Sequence, residues 1–259
     1  MTIKTSGSSL SFSEIEAEFG ANGSRSLGAY RLSQSVGSLS NLPLDSGIPT
    51  SGTIKFSDFY SKKLNIVVDC HSGGQETRKS AKNDKWNNNN LTVIGGFRSK
   101  KEGGSKIYIN VNKKFCSDKN NVNNCALRTG SWDATATVQI DVGSSGRIFG
   151  SGGDGGSGAQ GINNSGSPGS SGTSGLGIDT NNVTVNIASG GIIRAGFGGG
   201  GGGGGGRQSD KNADRRASGG GGGGGAGGNG AAIRRVSGFT VNINNNGSIT
   251  GSTSATGVG

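Results

Sequence analysis

Short runs in which apolar and polar residues alternate recur along the chain and predict β-strands. The clearest run is IYINV at 107–111, which has the pattern of a strand with one buried face. Residues 91–93 alternate in the same way, and 64–68 form a short apolar-rich run. The connections between these runs are rich in Asn, Gly, Ser and Lys. The sequence therefore predicts a small β-domain over residues 62–133.

One pattern recurs three times from residue 134 onward. Each unit has a strand, a tight turn with glycine and a second short strand, and the first strands carry the equivalent isoleucines Ile140, Ile187 and Ile243. Glycine-rich excursions of different length separate the units. Stacked repeats of this kind bury a continuous core between neighbours. We expect a solenoid or layered β arrangement in a tip domain over residues 134–259.

Two uninterrupted glycine runs, 198–206 and 219–225, lie in one of these excursions. Glycine can form an extended threefold helix like that of polyproline II while keeping its N–H groups. Neighbouring helices could then bond backbone to backbone, and nine residues would span about 28 Å. A flexible linker is the alternative. Because two runs flank one short charged loop, 207–218, we favour ordered polyglycine II-like layers.

The first 61 residues predict a small helical and turn module. Ser11 and Glu14 have the spacing of a capping box, and Leu10 and Ile15 occupy the positions of a hydrophobic staple. A second aromatic cluster follows the turn-rich segment 48–52. A module this small has little core of its own, so we expect it to dock on a larger partner. The candidate docking residues are Phe12, Ile15, Phe19, Phe56, Phe59 and Tyr60.

Composition argues against one large core and against catalysis. Only 29% of the residues are hydrophobic, and 55 glycines stand beside 3 prolines, which excludes collagen. The single histidine, His71, has no partner motif for a catalytic relay or a metal triad. No phosphate-binding loop signature occurs among the glycines. We expect no enzyme activity, no cofactor and no metal.

The net charge of +10 is concentrated in the middle of the chain, where residues 62–133 carry 14 basic and 6 acidic groups. A solvated lysine-rich surface accounts for such an excess, and an anionic partner such as nucleic acid or a phosphorylated glycolipid is the alternative. The glycine runs lack the interleaved aromatic and arginine residues that bind nucleic acid strands. We therefore expect no nucleic-acid partner.

Three cysteines leave the redox state open. Cys116 and Cys125 bracket a polar loop that a disulfide could close, with Cys70 left over, and three free thiols are the alternative. The first ten residues contain no apolar signal-peptide core. No apolar run approaches the roughly 20 residues needed to span a bilayer. We expect the chain neither to export nor to anchor itself.

Two parts of the chain resemble known phage proteins. The phrases SFSEIEAEFG, SLGAYRLS and GIPTSGTIKFSDFYSKK, in that order, resemble the N-terminal module of many phage tail-fibre and appendage proteins. The glycine-rich half, 134–259, resembles the tip adhesins of T-even-like long tail fibres. Those adhesins fold as layered polyglycine II helices with variable distal loops that contact the host. The N-terminal module differs from their attachment domain.

The resemblance implies a virion protein of the tail tip or fibre, made in the host cytoplasm. Its partners would be other phage tail or fibre proteins and a host outer-surface protein or lipopolysaccharide. Homo-oligomerisation stays open, and a structural appendage without receptor contact is the alternative. We expect the charged loop and a second loop at 162–180 to project from one end. The candidate receptor-binding residues are Arg207, Lys211, Arg215, Arg216, Asn163 and Asn164.

Overall fold

The protein is mainly β, as predicted. The computed structural model describes residues 3–19, 26–31, 33–36, 39–43, 45–69, 106–117, 123–130, 132, 134–159, 165–203 and 222–258. Within them lie the helix α1 (Phe12–Phe19) and two 3-10 turns, Leu27–Tyr30 and Phe56–Phe59. The strands are β1 Ser33–Val36, β2 Leu39–Pro43, β3 Ile66–Asp69, β4 Lys106–Val111, β5 Lys114–Cys116, β6 Cys125–Arg128, β7 Thr137–Val142, β8 Arg147–Phe149, β9 Ser174–Ile178, β10 Val183–Ile187, β11 Ile192–Arg194, β12 Ile233–Arg235, β13 Val241–Asn245, β14 Ser248–Thr250 and β15 Ala255–Thr256.

The strands after β3 form a parallel β-solenoid of four coils, each coil contributing one strand to each of three sheets. The first sheet has the order β3-β4-β7-β10-β13, the second β5-β8-β11-β14 and the third β6-β9-β12-β15. Corresponding strands of successive coils pair in parallel. The repeat that the sequence shows after residue 134 is therefore the coil, and the division predicted at 133/134 falls between β6 and β7 of adjacent coils.

One apolar core fills the solenoid. Alternation places Val138, Ile140 and Val142 of β7 inward, each at most 1% exposed, while the residues between them face outward or pack at the surface. Isoleucines from the second sheet close the core from another side, for example Ile148 and Ile193, both 0% exposed. Burial of this kind stabilises by about 25 cal/mol per Å², and stacking makes the core continuous from coil to coil.

The N-terminal module has a separate small core. Its helix begins as the sequence predicts, because the Ser11 N–H donates to Glu14 Oε2 at 2.8 Å and the Glu14 N–H donates to Ser11 Oγ at 3.4 Å. A hydrogen bond from Lys4, together with those from Ser11, lowers the pKa of Glu14 to about 2. Buried residues from the whole module and Leu64, which lies just beyond the predicted boundary, form one cluster with the helix: Ile3, Ile15, Phe19, Tyr30, Ile48, Phe59 and Leu64.

Neither of the two described cysteines forms a disulfide. Cys116 ends β5 in the second sheet, and Cys125 begins β6 in the third. The pairing that their spacing allowed is not formed in the structure. Burial raises the pKa of the Cys125 thiol to about 12, so this sulfur is protonated at neutral pH and packs as a small apolar group.

Candidate functional site

Two excursions leave the solenoid at the same corner, where a strand of the second sheet connects to a strand of the third. One connects β8 to β9 and the other connects β11 to β12. We name their parts the first outgoing segment (150–159), the first returning segment (165–173), the second outgoing segment (196–203) and the second returning segment (222–230). These four segments contain no β-strand. Together we call them the glycine layer.

Backbone hydrogen bonds join the four segments at every third residue. Gly153, Gly156 and Ala159 of the first outgoing segment donate to Phe197, Gly200 and Gly203 of the second, with N–O distances of 2.8, 2.7 and 2.9 Å. The same step of three joins the two returning segments to each other, and the second returning segment to the second outgoing one. This period is that of an extended threefold helix. The described parts of both glycine runs are therefore held to their neighbours by backbone hydrogen bonds with a period of three.

Close approach of the segments explains why glycine is required. A Cβ added at Gly153 would lie 1.9 Å from the Ser170 carbonyl oxygen, and one at Gly199 would lie 1.9 Å from that of Asp154. In the second outgoing segment two positions of every three are blocked in this way, because three other segments bond to it. Only the third position opens outward, and there Phe197 is 56% exposed.

A ladder of hydroxyl groups reinforces the first excursion. Ser167, Ser170 and Thr173 of the returning segment accept from the amides of residues 157, 154 and 151, at 2.7, 2.6 and 2.7 Å. These hydroxyls follow glycine at every third position, in the triplets GSP, GSS and GTS of residues 166–174. This triplet period is the sequence signal for the first excursion's part of the layer. The prediction of ordered layers rested on the uninterrupted glycine runs and missed it.

The outer ends of all four segments lie together. Ala159 N donates to Gly203 O at 2.9 Å, and Gly166 N donates to Gly222 O at 3.1 Å. The connections 160–164 and 204–221 therefore begin and end at one edge, which we call the distal edge. At 3.1 Å per residue it lies about 28 Å from the corner of the solenoid.

All six candidate receptor-binding residues belong to these two connections. Asn163 and Asn164 lie in the first, and Arg207, Lys211, Arg215 and Arg216 lie in the second. These six residues fall outside the described part of the chain. The described segments that flank them end at the distal edge. The predicted second loop at 162–180 is wrong at its C-terminal end, where a strand replaces it, while its described residues 165–173 contain no strand. Residues 165–173 are a returning segment, Ser174–Ile178 is β9 and Asp179 is buried at the base.

The candidate docking residues divide into core and surface. Ile15, Phe19 and Phe59 are each 0% exposed, so they fill the core of the N-terminal module itself. Phe12 and Phe56 remain at its surface, where their rings meet edge to face with centroids 4.9 Å apart. Phe56 is 36% exposed. The Tyr60 hydroxyl donates to the carbonyl oxygen of Ser8.

The described part of the chain contains neither a cluster of metal-binding side chains nor a membrane-spanning helix. There, no group of three or more His, Cys, Asp or Glu side chains could hold a metal ion. None of the helices in the same residues has the length and apolar character needed to cross a membrane. His71 lies outside them.

The fold and the distal edge define a class of protein: a parallel β-solenoid that carries a hydrogen-bonded glycine layer and presents two connections at one edge. Residues 75–259, well over half of the chain, match the family model of the phage tail fibre adhesin Gp38, and the chain belongs to this family. No curated protein and no solved structure matched it. The chain is therefore a virion component of the tail fibre with a part in host attachment.

Proposed function

We propose that this adhesin binds a receptor on the host surface through the two connections at the distal edge, without catalysis. The observation that carries the proposal is that both connections begin and end at the same edge of the glycine layer, whose segments are joined by backbone hydrogen bonds at every third residue. A rigid scaffold that presents irregular connections is a frequent design of binding sites. Receptor-contacting residues would then be confined to the connections, because side chains are excluded from most of the layer.

The chemistry of the second connection suits an acidic partner. It carries four cations, Arg207, Lys211, Arg215 and Arg216, against the two carboxylates of Asp210 and Asp214, so its net charge is positive. Guanidinium groups bind phosphate or carboxylate through paired hydrogen bonds. The acidic groups of lipopolysaccharide or of an outer-surface protein would supply such partners. The first connection would add the amides of Asn163 and Asn164, which both donate and accept.

Replacing two of these cations tests the receptor site. In phage carrying Arg215→Gln and Arg216→Gln, we expect the adsorption rate constant to fall about tenfold, the equivalent of about 1.4 kcal/mol. The pair Lys55→Gln and Lys106→Gln removes the same charge elsewhere and should adsorb normally. The particles must contain the chain at the usual copy number. If the Arg215/Arg216 variant and the double variant Asn163→Ala with Asn164→Ala both adsorbed normally, the result would favour the alternative, a structural appendage without receptor contact.

The N-terminal module would join the chain to another tail protein. The exposed ring of Phe56, packed against the half-buried ring of Phe12, supports this proposal, since aromatic residues are enriched at the energetic centres of interfaces. This surface lies outside the residues that match the adhesin family. The module would thus supply an attachment of its own, separate from the solenoid.

Serine at both positions tests the attachment. Particles assembled with Phe12→Ser and Phe56→Ser should carry about tenfold less of the chain, measured by quantitative immunoblotting of purified phage. Phe197→Ser removes an aromatic ring that is more exposed, on the glycine layer, and should leave incorporation unchanged. Full incorporation of the Phe12/Phe56 variant would show that these rings are not the docking surface.

A further inference from the structure

The outer face of the second sheet carries an aromatic ring among cations. Lys114 comes from β5, Arg147 and Phe149 from β8, and Arg194 from β11. Lys114 and Arg194 are exposed, while Arg147 and Phe149 are half-buried. We call these four residues the basic face. The four strands of this sheet, with the sequences KFC, RIF, IIR and SIT, contain no acidic residue.

Parallel pairing brings two of the cations side by side. Lys114 and Arg147 are direct partners in the register of β5 and β8, and neighbouring strands lie about 4.8 Å apart. Like charges in such positions are destabilising. Arg147 is held in place because its Nη1 donates to the carbonyl oxygens of Ser144 at 2.9 Å and Gly146 at 2.8 Å. The sheet thus retains an arrangement that an anion would stabilise.

Phe149 contacts two of the three cations, Lys114 and Arg194. The Arg194 guanidinium carbon lies 4.5 Å from the centre of its ring, and Lys114 Nζ lies 5.6 Å from it. Both are within the range of cation–π attraction. The ring therefore holds positive charge on both neighbouring strands. The result is a row of cations across three strands, which is long enough for several anionic groups of one polymer.

We propose that the basic face binds the phosphate groups of a cell-envelope polysaccharide. Charge complementarity selects an anionic partner, and cations on three strands favour a chain of separated phosphates over a single ion. Binding of single-stranded nucleic acid relies on aromatic rings that are free to stack with bases. Here Phe149, the one aromatic residue of the basic face, is already in contact with two cations. A polysaccharide needs no such platform.

The position of the basic face suits a second contact with the cell. Phe149 and Arg194 directly precede Gly150 and Ala195, where the two excursions leave the solenoid. The basic face therefore lies at the base of the glycine layer, about 28 Å behind the distal edge at 3.1 Å per residue. A polysaccharide that extends outward from the envelope would reach this depth while the distal edge contacts the surface. The proposed contact does not depend on which molecule the distal edge binds.

Binding of the full chain to immobilised lipopolysaccharide, native or chemically stripped of phosphate, tests the proposal by biolayer interferometry. We expect Lys114→Gln with Arg194→Gln to weaken binding to the native form about tenfold. Removal of the phosphates should weaken binding of the unaltered chain similarly, and the double variant should no longer distinguish the two forms. The matched pair Lys55→Gln and Lys106→Gln should retain the original affinity, because both of these lysines are exposed and lie off the second sheet.

Three results would overturn the proposal. Equal losses in the two double variants would mean that net charge alone attracts the polymer. Unchanged binding to the phosphate-free form would mean that phosphate is not recognised. The basic face would be assigned to nucleic acid if duplex DNA bound the unaltered chain as tightly as lipopolysaccharide does and bound the Lys114/Arg194 double variant more weakly. Thermal melting of each variant, followed by circular dichroism, separates these outcomes from misfolding.

Discussion

Alanine at Gly202 is expected to loosen the glycine layer, whereas alanine at Gly200 should be tolerated. A Cβ at Gly202 would lie 1.9 Å from the Ser157 carbonyl oxygen, while one at Gly200 would have no atom within 4 Å. Overpacking of this kind costs about 1–3 kcal/mol. Where the backbone is compatible, alanine instead stabilises by about 0.4–1 kcal/mol by restricting the unfolded chain. The two substitutions should therefore have effects of opposite sign.

Hydrogen exchange read by mass spectrometry, together with denaturant midpoints, measures this difference. Faster exchange is expected over residues 196–203 and 222–230 in Gly202→Ala, with parental rates in Gly200→Ala. A second matched pair lies in the returning segment, where a Cβ at Gly224 would lie 2.1 Å from the Ser167 carbonyl oxygen and one at Gly225 would meet nothing within 4 Å. If blocked and open positions gave the same exchange rates, the runs would be flexible linkers.

Periodicity was sufficient to predict the strands but not their register. Ile140, Ile187 and Ile243 occupy equivalent places in the repeated motif, yet Ile140 pairs with Val185, which in turn pairs with Ile243. The pairing differs from the motif alignment by two residues at each step. Because side chains alternate with a period of two, such a shift keeps the same residues inside. The sequence pattern therefore defines the buried face and leaves the register to the turns.

The two glycine runs were recognisable in the sequence, but the other segments that belong to the glycine layer were not. The uninterrupted runs drew attention to 198–206 and 219–225, although the first excursion builds half of the layer from glycines that alternate with other, mostly small residues. Those residues stand where a side chain has room, and glycine is required only at positions such as Gly166, Gly169 and Gly172. A search for a period of three would have found the first excursion, since steric exclusion repeats along it with that period.

Contacts between coils could not be predicted from local patterns. Lys114 and Arg147 lie 33 residues apart in sequence, and only the stacking of β5 on β8 makes them partners. The aromatic residues of the N-terminal module raise the same difficulty. Helical spacing grouped Phe12 with Ile15 and Phe19, but the surrounding turns bury two of these and leave Phe12 at the surface. Which side of a small core meets solvent depends on distant segments.

A buried ion pair at the base of the first excursion also escaped the sequence analysis. Arg128 ends β6, and Asp179 directly follows β9 in the next coil; their side chains are 5% and 6% exposed. Arg128 Nε donates to both carboxylate oxygens of Asp179, at 3.1 and 2.9 Å. The Gly130 N–H donates to the same carboxylate at 3.2 Å. The pair therefore links the first two coils beside the strand that receives the returning segment.

Removing one member of this pair should destabilise the solenoid more than removing both. Arg128→Met leaves the Asp179 carboxylate buried without its cation, which costs about 3–5 kcal/mol. The double variant Arg128→Met with Asp179→Leu replaces both charges with apolar groups and should recover most of this loss, because apolar substitutes for buried pairs are often neutral or better. Urea denaturation of the parent, Arg128→Met, Asp179→Leu and the double variant, followed by circular dichroism, gives the comparison. Additive losses in the double variant would show that the two side chains stabilise the coils independently and not as a pair.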